Sequence, residues 1–358
     1  MFLGNLTWVD LRGGLDAEGI DRLIWGITGK KPGKEDTIAP AHEPGGDEIP
    51  TLSDTQFLDE IFERLYNCPT LILLAQEDRE QPAGLEALRE RVQRRFGAGQ
   101  TLYLVPSYNT DAGEAEFFRI LSRRAGMDPP AGSAMGFEEY LGDRLAGGER
   151  LFLLVTDLSK CSDIGRERLA GILRSLSEAR GNALHTVLVG GEGLAKLKYA
   201  QGDLSLLSHA EPMNWPELNT GDLMALARQG RPSFDLALEE VRAILKATGG
   251  HPRLIQNVLW CRAKGTVLET CIRELANSRQ IEAQFVALTR DSRDAQQIAA
   301  WLGQDELGPY QGWIPDLLLR RLYWKNLLRA EGPTGAERLV WRCPAIIGAG
   351  RRVLGAVP

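Results

Sequence analysis

Four short runs of apolar residues, at 71–74, 101–105, 151–155 and 184–189, are separated by stretches in which apolar residues return every three or four positions. Largely apolar runs of this length suit strands buried on both faces, and the spaced pattern suits amphipathic helices. Leu85, Leu88, Val92 and Phe96 mark one helix, Phe117, Phe118, Leu121 and Ala125 a second, and Leu169, Ile172, Leu173 and Leu176 a third. A fifth strand is predicted near 211–215. Strands alternating with helices imply parallel strands joined by crossovers, so residues 51–217 read as a doubly wound α/β core. The strand pattern stops after Asn219, and helices predicted at 222–229, 234–246 and 252–264 make residues 218–285 a helical lid. Residues 286–358 hold a leucine-dense helix at 315–329, a Gly-Pro turn and a short strand at 338–341. That succession reads as a helical, winged-helix-like C-terminal module.

The beginning of the chain does not fit this order. Residues 6–9 read as a strand, and 15–27 as a helix with Ile20, Leu23, Ile24 and Ile27 on one face. One strand and one helix cannot bury a core, so residues 1–32 call for more sheet than the chain supplies upstream. Residues 33–50, rich in Pro, Gly and acids, read as a linker.

With 358 residues, 43% apolar and 25% charged, the chain has a globular composition and room for two or three domains. The net charge of −6 gives no general reason to expect nucleic acid. From Trp313 onward, however, eight Lys/Arg face three Asp/Glu. Cys68, Cys161, Cys261, Cys271 and Cys343 lack metal-binding spacing and read as reduced thiols, with no metal expected. Neither a secretory leader nor a membrane-length apolar run is legible, so a cytoplasmic location is predicted.

Candidate chemistry gathers where strands end, because ligands of a doubly wound sheet bind beyond the carboxyl ends of its strands. The strand at 151–155 leads to Asp157, the strand at 184–189 ends in Gly190-Gly191, and Gly249-Gly250-His251-Pro252 opens a helix. Together these outline a P-loop ATPase core with its phosphate grip missing. A P-loop needs G-x-x-x-x-G-K-[ST], whose amides, lysine and hydroxyl hold the phosphates and Mg²⁺. No lysine occurs between Lys34 and Lys160, and the turn after the first core strand reads Gln76-Glu77-Asp78-Arg79-Glu80-Gln81-Pro82-Ala83-Gly84. Its three carboxylates would repel a triphosphate. No catalytic residue is therefore assigned, no cofactor is expected, and ATP or ADP could at most bind without being cleaved.

The segment from Phe2 to Arg12, continuing from Ile20 to Ile27, resembles the C-terminal end of a bacterial TIR domain, its last strand and helix. The family's NAD-cleaving glutamate lies well upstream, and no residue here corresponds to it. The resemblance implies either a longer parent protein begun before Met1 or a lost TIR domain, and we favour the former. Residues from about 51 to 271 resemble the signal-transducing ATPases (the STAND and related AAA-like group) that bacteria join to TIR domains. The strand ending in Asp157 resembles the family's Walker B, and Gly249-Gly250-His251-Pro252 its adenine-seating lid motif. Asp157 is followed by Leu158 and Ser159, not by the acid that polarises water in hydrolysing members. The resemblance implies a regulatory module of a TIR-associated, defence-type signalling protein. Its alternatives are the control region of an NAD-cleaving TIR enzyme, or a DNA-binding ATPase-like regulator.

On these grounds Asp157, Gly250, His251 and Pro252 are candidate remnants of a nucleotide site. Simpler roles compete: Asp157 or Asp163 capping the next helix, and Gly and Pro closing one helix and starting another. Arg79 is predicted to neutralise its acidic neighbours on a solvated turn. In the tail, Trp313, Tyr323, Trp324 and Trp341 interleave with basic residues, and Arg320, Arg321, Trp324 and Lys325 are candidates for partner binding. A packed core with a basic exterior is the competing reading. Protein partners are expected, with self-association through a TIR region, and nucleic acid is the second option through the basic tail.

Overall fold

Every residue of β1 (Thr70–Leu74) is buried, which is why a threonine followed by four apolar residues serves as the interior of a sheet rather than its edge. The computed structural model describes residues 56–79, 82–199, 205–229 and 233–355. The segments read above as a TIR fragment and a linker, residues 1–32 and 33–50, lie outside the described residues. All described residues belong to one unit, Ile49–Pro358.

β1 is joined in the sheet by β2 (Thr101–Leu104), β3 (Leu151–Val155), β4 (Leu184–Gly190) and β5 (Glu211–Asn214). The order is β2-β3-β4-β1-β5 and every pairing is parallel, the P-loop NTPase type of doubly wound α/β fold predicted from the sequence. The predicted strand at 151–155 coincides with β3, and the others differ at their ends by a residue or so.

The two-residue period of the strands sorts the core into two layers. Leu71, Leu73, Phe152, Leu154, Val187 and Val189 face α1 (Gln56–Asn67) and α2 (Pro82–Phe96), meeting Ile61, Leu65, Leu88 and Val92. Ile72, Leu74, Leu102, Leu104, Leu153, Val155 and Leu188 belong to the opposite layer. That layer takes in α3 (Glu114–Arg124), α4 (Ala134–Ala146), α5 (Asp163–Arg180) and α6 (Glu192–Tyr199). It also runs on without a break into the C-terminal half of the chain.

That half contains α7 (Thr220–Gln229), α8 (Leu238–Thr248), α9 (Pro252–Ala263), α10 (Leu268–Glu274), α11 (Arg279–Leu288) and α12 (Ser292–Trp301). It ends with α13 (Leu317–Trp324), an antiparallel hairpin of β6 (Leu328–Glu331) and β7 (Arg338–Trp341), and α14 (Pro344–Val353). The helix predicted over 315–329 is thus cut short. Asp316 caps its start by accepting from the Leu319 amide at 2.8 Å, and Asn326 ends it in a left-handed conformation (φ 63°). Leu328 and Arg329, placed in the helix by their spacing, instead pair with Trp341 and Val340.

Among the described residues no helix is long and apolar enough to cross a membrane.

Candidate functional site

The turn after β1 is where a phosphate-binding loop would stand, and several hydrogen-bonding groups of its described residues are occupied by other parts of the chain. The Ala75 amide donates to Gly190 O at 2.9 Å, and the Glu77 amide donates to Trp324 O at 3.0 Å. Gln76 is buried, and its Nε2 donates to Tyr323 O at 2.7 Å and to Leu328 O at 2.9 Å. Asn326 Nδ2 returns a bond to Glu77 O at 3.1 Å. The segment joining α13 to β6 therefore lies against the turn, and main-chain amides a phosphate would need are spent on protein carbonyls.

Arg342, at the end of β7, closes this junction. Its side chain is 0% exposed. It donates through Nη1 to Glu217 Oε2 at 2.8 Å and Gly249 O at 2.9 Å, through Nε to Asn326 O at 3.2 Å, and through Nη2 to Gln76 Oε1. Arg79 joins the same carboxylate: it pairs with Glu217 Oε1 and donates to Pro216 O at 2.5 Å. The prediction of a solvated turn arginine is thus corrected, because Arg79 is 5% exposed and its partner lies far along the chain. The acids beside it find other cations. Asp78 pairs with Arg253, and Glu77 with Lys325 at 3.1 Å. Glu80 lies outside the described residues.

Electrostatics in the junction follow from burial. Partial withdrawal from water would by itself raise the Glu217 carboxyl, which is still 55% exposed, and the Arg342 and Arg79 guanidiniums more than reverse this, holding it below its ordinary value. Burial pushes the His251 imidazole down to about 3, and the nearby Arg342 charge acts in the same direction. His251 is fully buried and neither ring nitrogen has a hydrogen-bond partner, so it is a neutral core residue.

Beside the junction, at the carboxyl ends of β1, β3 and β4, opens a cleft of about 1200 Å³. Asp157 lines it from a left-handed backbone (φ 56°). Its carboxylate accepts from Lys160 Nζ at 2.6 Å and from Tyr108 Oη at 3.2 Å. Neither Asp157 nor Asp163 caps the next helix; Ser162 does, accepting from the Gly165 amide at 3.3 Å. Asp163 pairs with Arg166. Cations around the cleft are matched by acids: Lys196 with Glu192 at 3.6 Å, and Arg321 with Asp294.

Residues proposed separately from the sequence meet here. Asp157 and Pro252 share the cleft wall with Arg321, Trp324 and Lys325. Gly250 and His251 lie instead toward Arg342 and Glu217. Gly249 caps α8 in the left-handed conformation and Pro252 opens α9, so the simpler punctuation roles are filled as well. Among the tail candidates Lys325 and Arg321 keep 45% and 35% of their side chains exposed, whereas Trp324 belongs to the packed interior. Trp324 is 5% exposed, packed edge-on against Trp313 and Tyr323 at 5.2 and 5.1 Å between ring centres. Arg320 gives its guanidinium to the carbonyls of Trp313 and Ile314. Sequence reasoning missed Gln76 and Glu217 as key groups. A polar residue directly following an all-apolar strand was a signal for Gln76; Glu217 left none.

The chain matches no family profile and no curated protein. Among solved structures it is similar to the ORC2 protein of Aeropyrum pernix in its ADPNP–ADP complexes, at 13% identity over 84% of this chain and 92% of the other, TM-score 0.44. It is also similar to Cdc6p from Pyrobaculum aerophilum, at 12% identity over 84% and 93%, TM-score 0.43. A third is the ORC1 protein of Aeropyrum pernix in complex with DNA, at 10% identity over 82% and 91%, TM-score 0.40. These likenesses are distant, and the fold assignment rests on the strand order and pairing of the chain itself.

Proposed function

We propose that this chain is a regulatory, signal-transducing module in which an ATPase-like fold serves as scaffold and sensor without hydrolysing nucleotide. One observation carries the reading: the turn that should grip phosphate is bonded through Gln76 and Glu77 to the carbonyls of Tyr323, Leu328 and Trp324. A junction of this kind suits a two-state device. A partner that prefers the docked or the released C-terminal module shifts the balance only by its difference in affinity for the two. The likeness of residues 1–32 to the end of a TIR domain supports placing the module behind a TIR effector in prokaryotic defence-type signalling. Protein partners fit this role better than nucleic acid, since Arg320 and Arg321 are already engaged within the chain.

Calorimetric titration of the full chain with ATP–Mg²⁺ and ADP, together with a phosphate-release assay, tests the proposal. The expected outcome is no turnover above that of Asp157→Asn. Turnover that Asp157→Asn abolishes would overturn it.

A further inference from the structure

Arg79 and Arg342 reach the same carboxylate from different parts of the fold: Arg79 Nη1 bonds Glu217 Oε1, and Arg342 spans both oxygens, Nη1 to Oε2 at 2.8 Å and Nη2 to Oε1 at 3.4 Å. The guanidinium side chains are 5% and 0% exposed, whereas that of Glu217 is 55% exposed. Two buried cations therefore share one anion that stands at the solvent side. Close like charges out of water are costly unless an anion bridges them. A monocarboxylate offsets only half of their combined charge.

Gly250 packs against the carboxylate: a Cβ on it would stand 3.4 Å from Glu217 Oε2 and 3.9 Å from Arg342 Nη1. The next residue, His251, keeps two ring nitrogens without partners. Planar guanidinium forks match carboxylate and phosphate alike in bidentate fashion, and a phosphate brings the second negative charge that a carboxylate lacks.

We infer that Arg79 and Arg342 form a phosphate-binding pair, for which the Glu217 carboxylate is the resident intramolecular competitor. The ligand class is a small phosphate dianion, either free phosphate or the terminal group of a phosphomonoester. It enters as Glu217 swings outward, and it neutralises both guanidiniums where the carboxylate neutralises one. The site is separate from the cleft beside Asp157 and does not depend on whether the chain hydrolyses nucleotide.

Thermal unfolding and calorimetric titration of the full chain, Glu217→Gln, and the double variant Arg79→Gln/Glu217→Gln provide the test. Each is measured at matched ionic strength in chloride, inorganic phosphate and phenyl phosphate. Glu217→Gln is expected to bind phosphate about tenfold more tightly than the unaltered chain, the equivalent of ~1.4 kcal/mol. Its thermal midpoint should rise in phosphate beyond the general salting effect seen with the unaltered chain. The double variant, with one cation left, should lose that extra response. Should Glu217→Gln fold only in phosphate, the proposal stands. An equal response in chloride and phosphate would overturn it, as would failure to fold in either or a double variant responding like the single one. Response to inorganic phosphate alone assigns the free ion, and response to both ligands assigns the ester.

Discussion

Gly249 lies so close to Arg342 that a Cβ on it would sit 2.0 Å from the Arg342 carbonyl oxygen. Its backbone is also left-handed, φ 58°. Gly249→Ala therefore meets two penalties, a disfavoured conformation and a collision with a main chain that cannot move aside. We expect it to lower unfolding free energy by about 3 kcal/mol or more. Gly97 is a useful comparison, with φ +89° and nothing within 4 Å of a built Cβ. Gly97→Ala, in a backbone region kept almost to glycine (φ 89°, ψ 153°), meets the conformational penalty alone and should cost about 1–3 kcal/mol. Urea midpoints of the two variants measure the difference.

Gln76→Leu preserves approximate size and removes the three bonds that tie the turn to Tyr323, Leu328 and Arg342. Tyr323 O keeps the Asn326 amide at 2.9 Å, while Leu328 O and Arg342 Nη2 keep only their long mutual contact and that of Nη2 to Glu217, so the expected loss is about 2 kcal/mol. Because Trp324 and Trp313 pack beside this junction, their fluorescence should shift to the red in the variant. Protease cleavage between α13 and β6 should also speed up. An unchanged emission spectrum with unchanged stability would show that the bonds do not hold the module.

At Asp157 the backbone, more than the ion pair with Lys160, sets tolerance to change. The lysine is 57% exposed, and pairs of that kind contribute under about 1 kcal/mol. Asn tolerates φ near 56° and should be accepted within about 1 kcal/mol, so Asp157→Asn is a sound control for the hydrolysis assay. Asp157→Val, β-branched in a left-handed position, should lose roughly 2 kcal/mol. Chemical denaturation of both variants checks the contrast.

The sequence carried the sheet well and the junction poorly. The runs at 71–74 and 151–155 mark strands because burial on both faces leaves no polar position. Local pattern failed at 325–329, where leucine spacing continues the helix but Asn326 turns the chain into β6. It failed again at the site, where Asp157 and Pro252 seemed unrelated to Arg321, Trp324 and Lys325. The fold brings all five to one cleft. Glu217 and Arg342 are 125 residues apart, and nothing local to either announces the other. Arg79 was misjudged for the same reason: its nearest acids in sequence are not its partner in space.

Acid should weaken the fold through His251. In the unfolded chain the imidazole takes up a proton near pH 6.5, whereas in the fold burial holds it down to about 3. Between those values the unfolded state binds the extra proton, so this contribution is complete above about pH 6.5 and declines as pH falls toward 3. The slope approaches ~1.4 kcal/mol per pH unit. His185 and His209, also lowered by burial, act in the same direction. His251→Leu should fold and show a flatter dependence of urea midpoint on pH between 4 and 6.5. A slope equal to that of the unaltered chain would remove His251 from the account.

Gln76 and Arg342, bonded in the finished fold, are 266 residues apart. At ribosomal speeds of about 5–20 residues per second, synthesis separates them by roughly 13–50 s. Throughout that interval the nascent chain holds an early strand whose following turn is still uncovered, and the segment carrying Arg342 must emerge before it is shut. A premature stop or clipping ahead of Arg342 would therefore be felt at the front of the sheet.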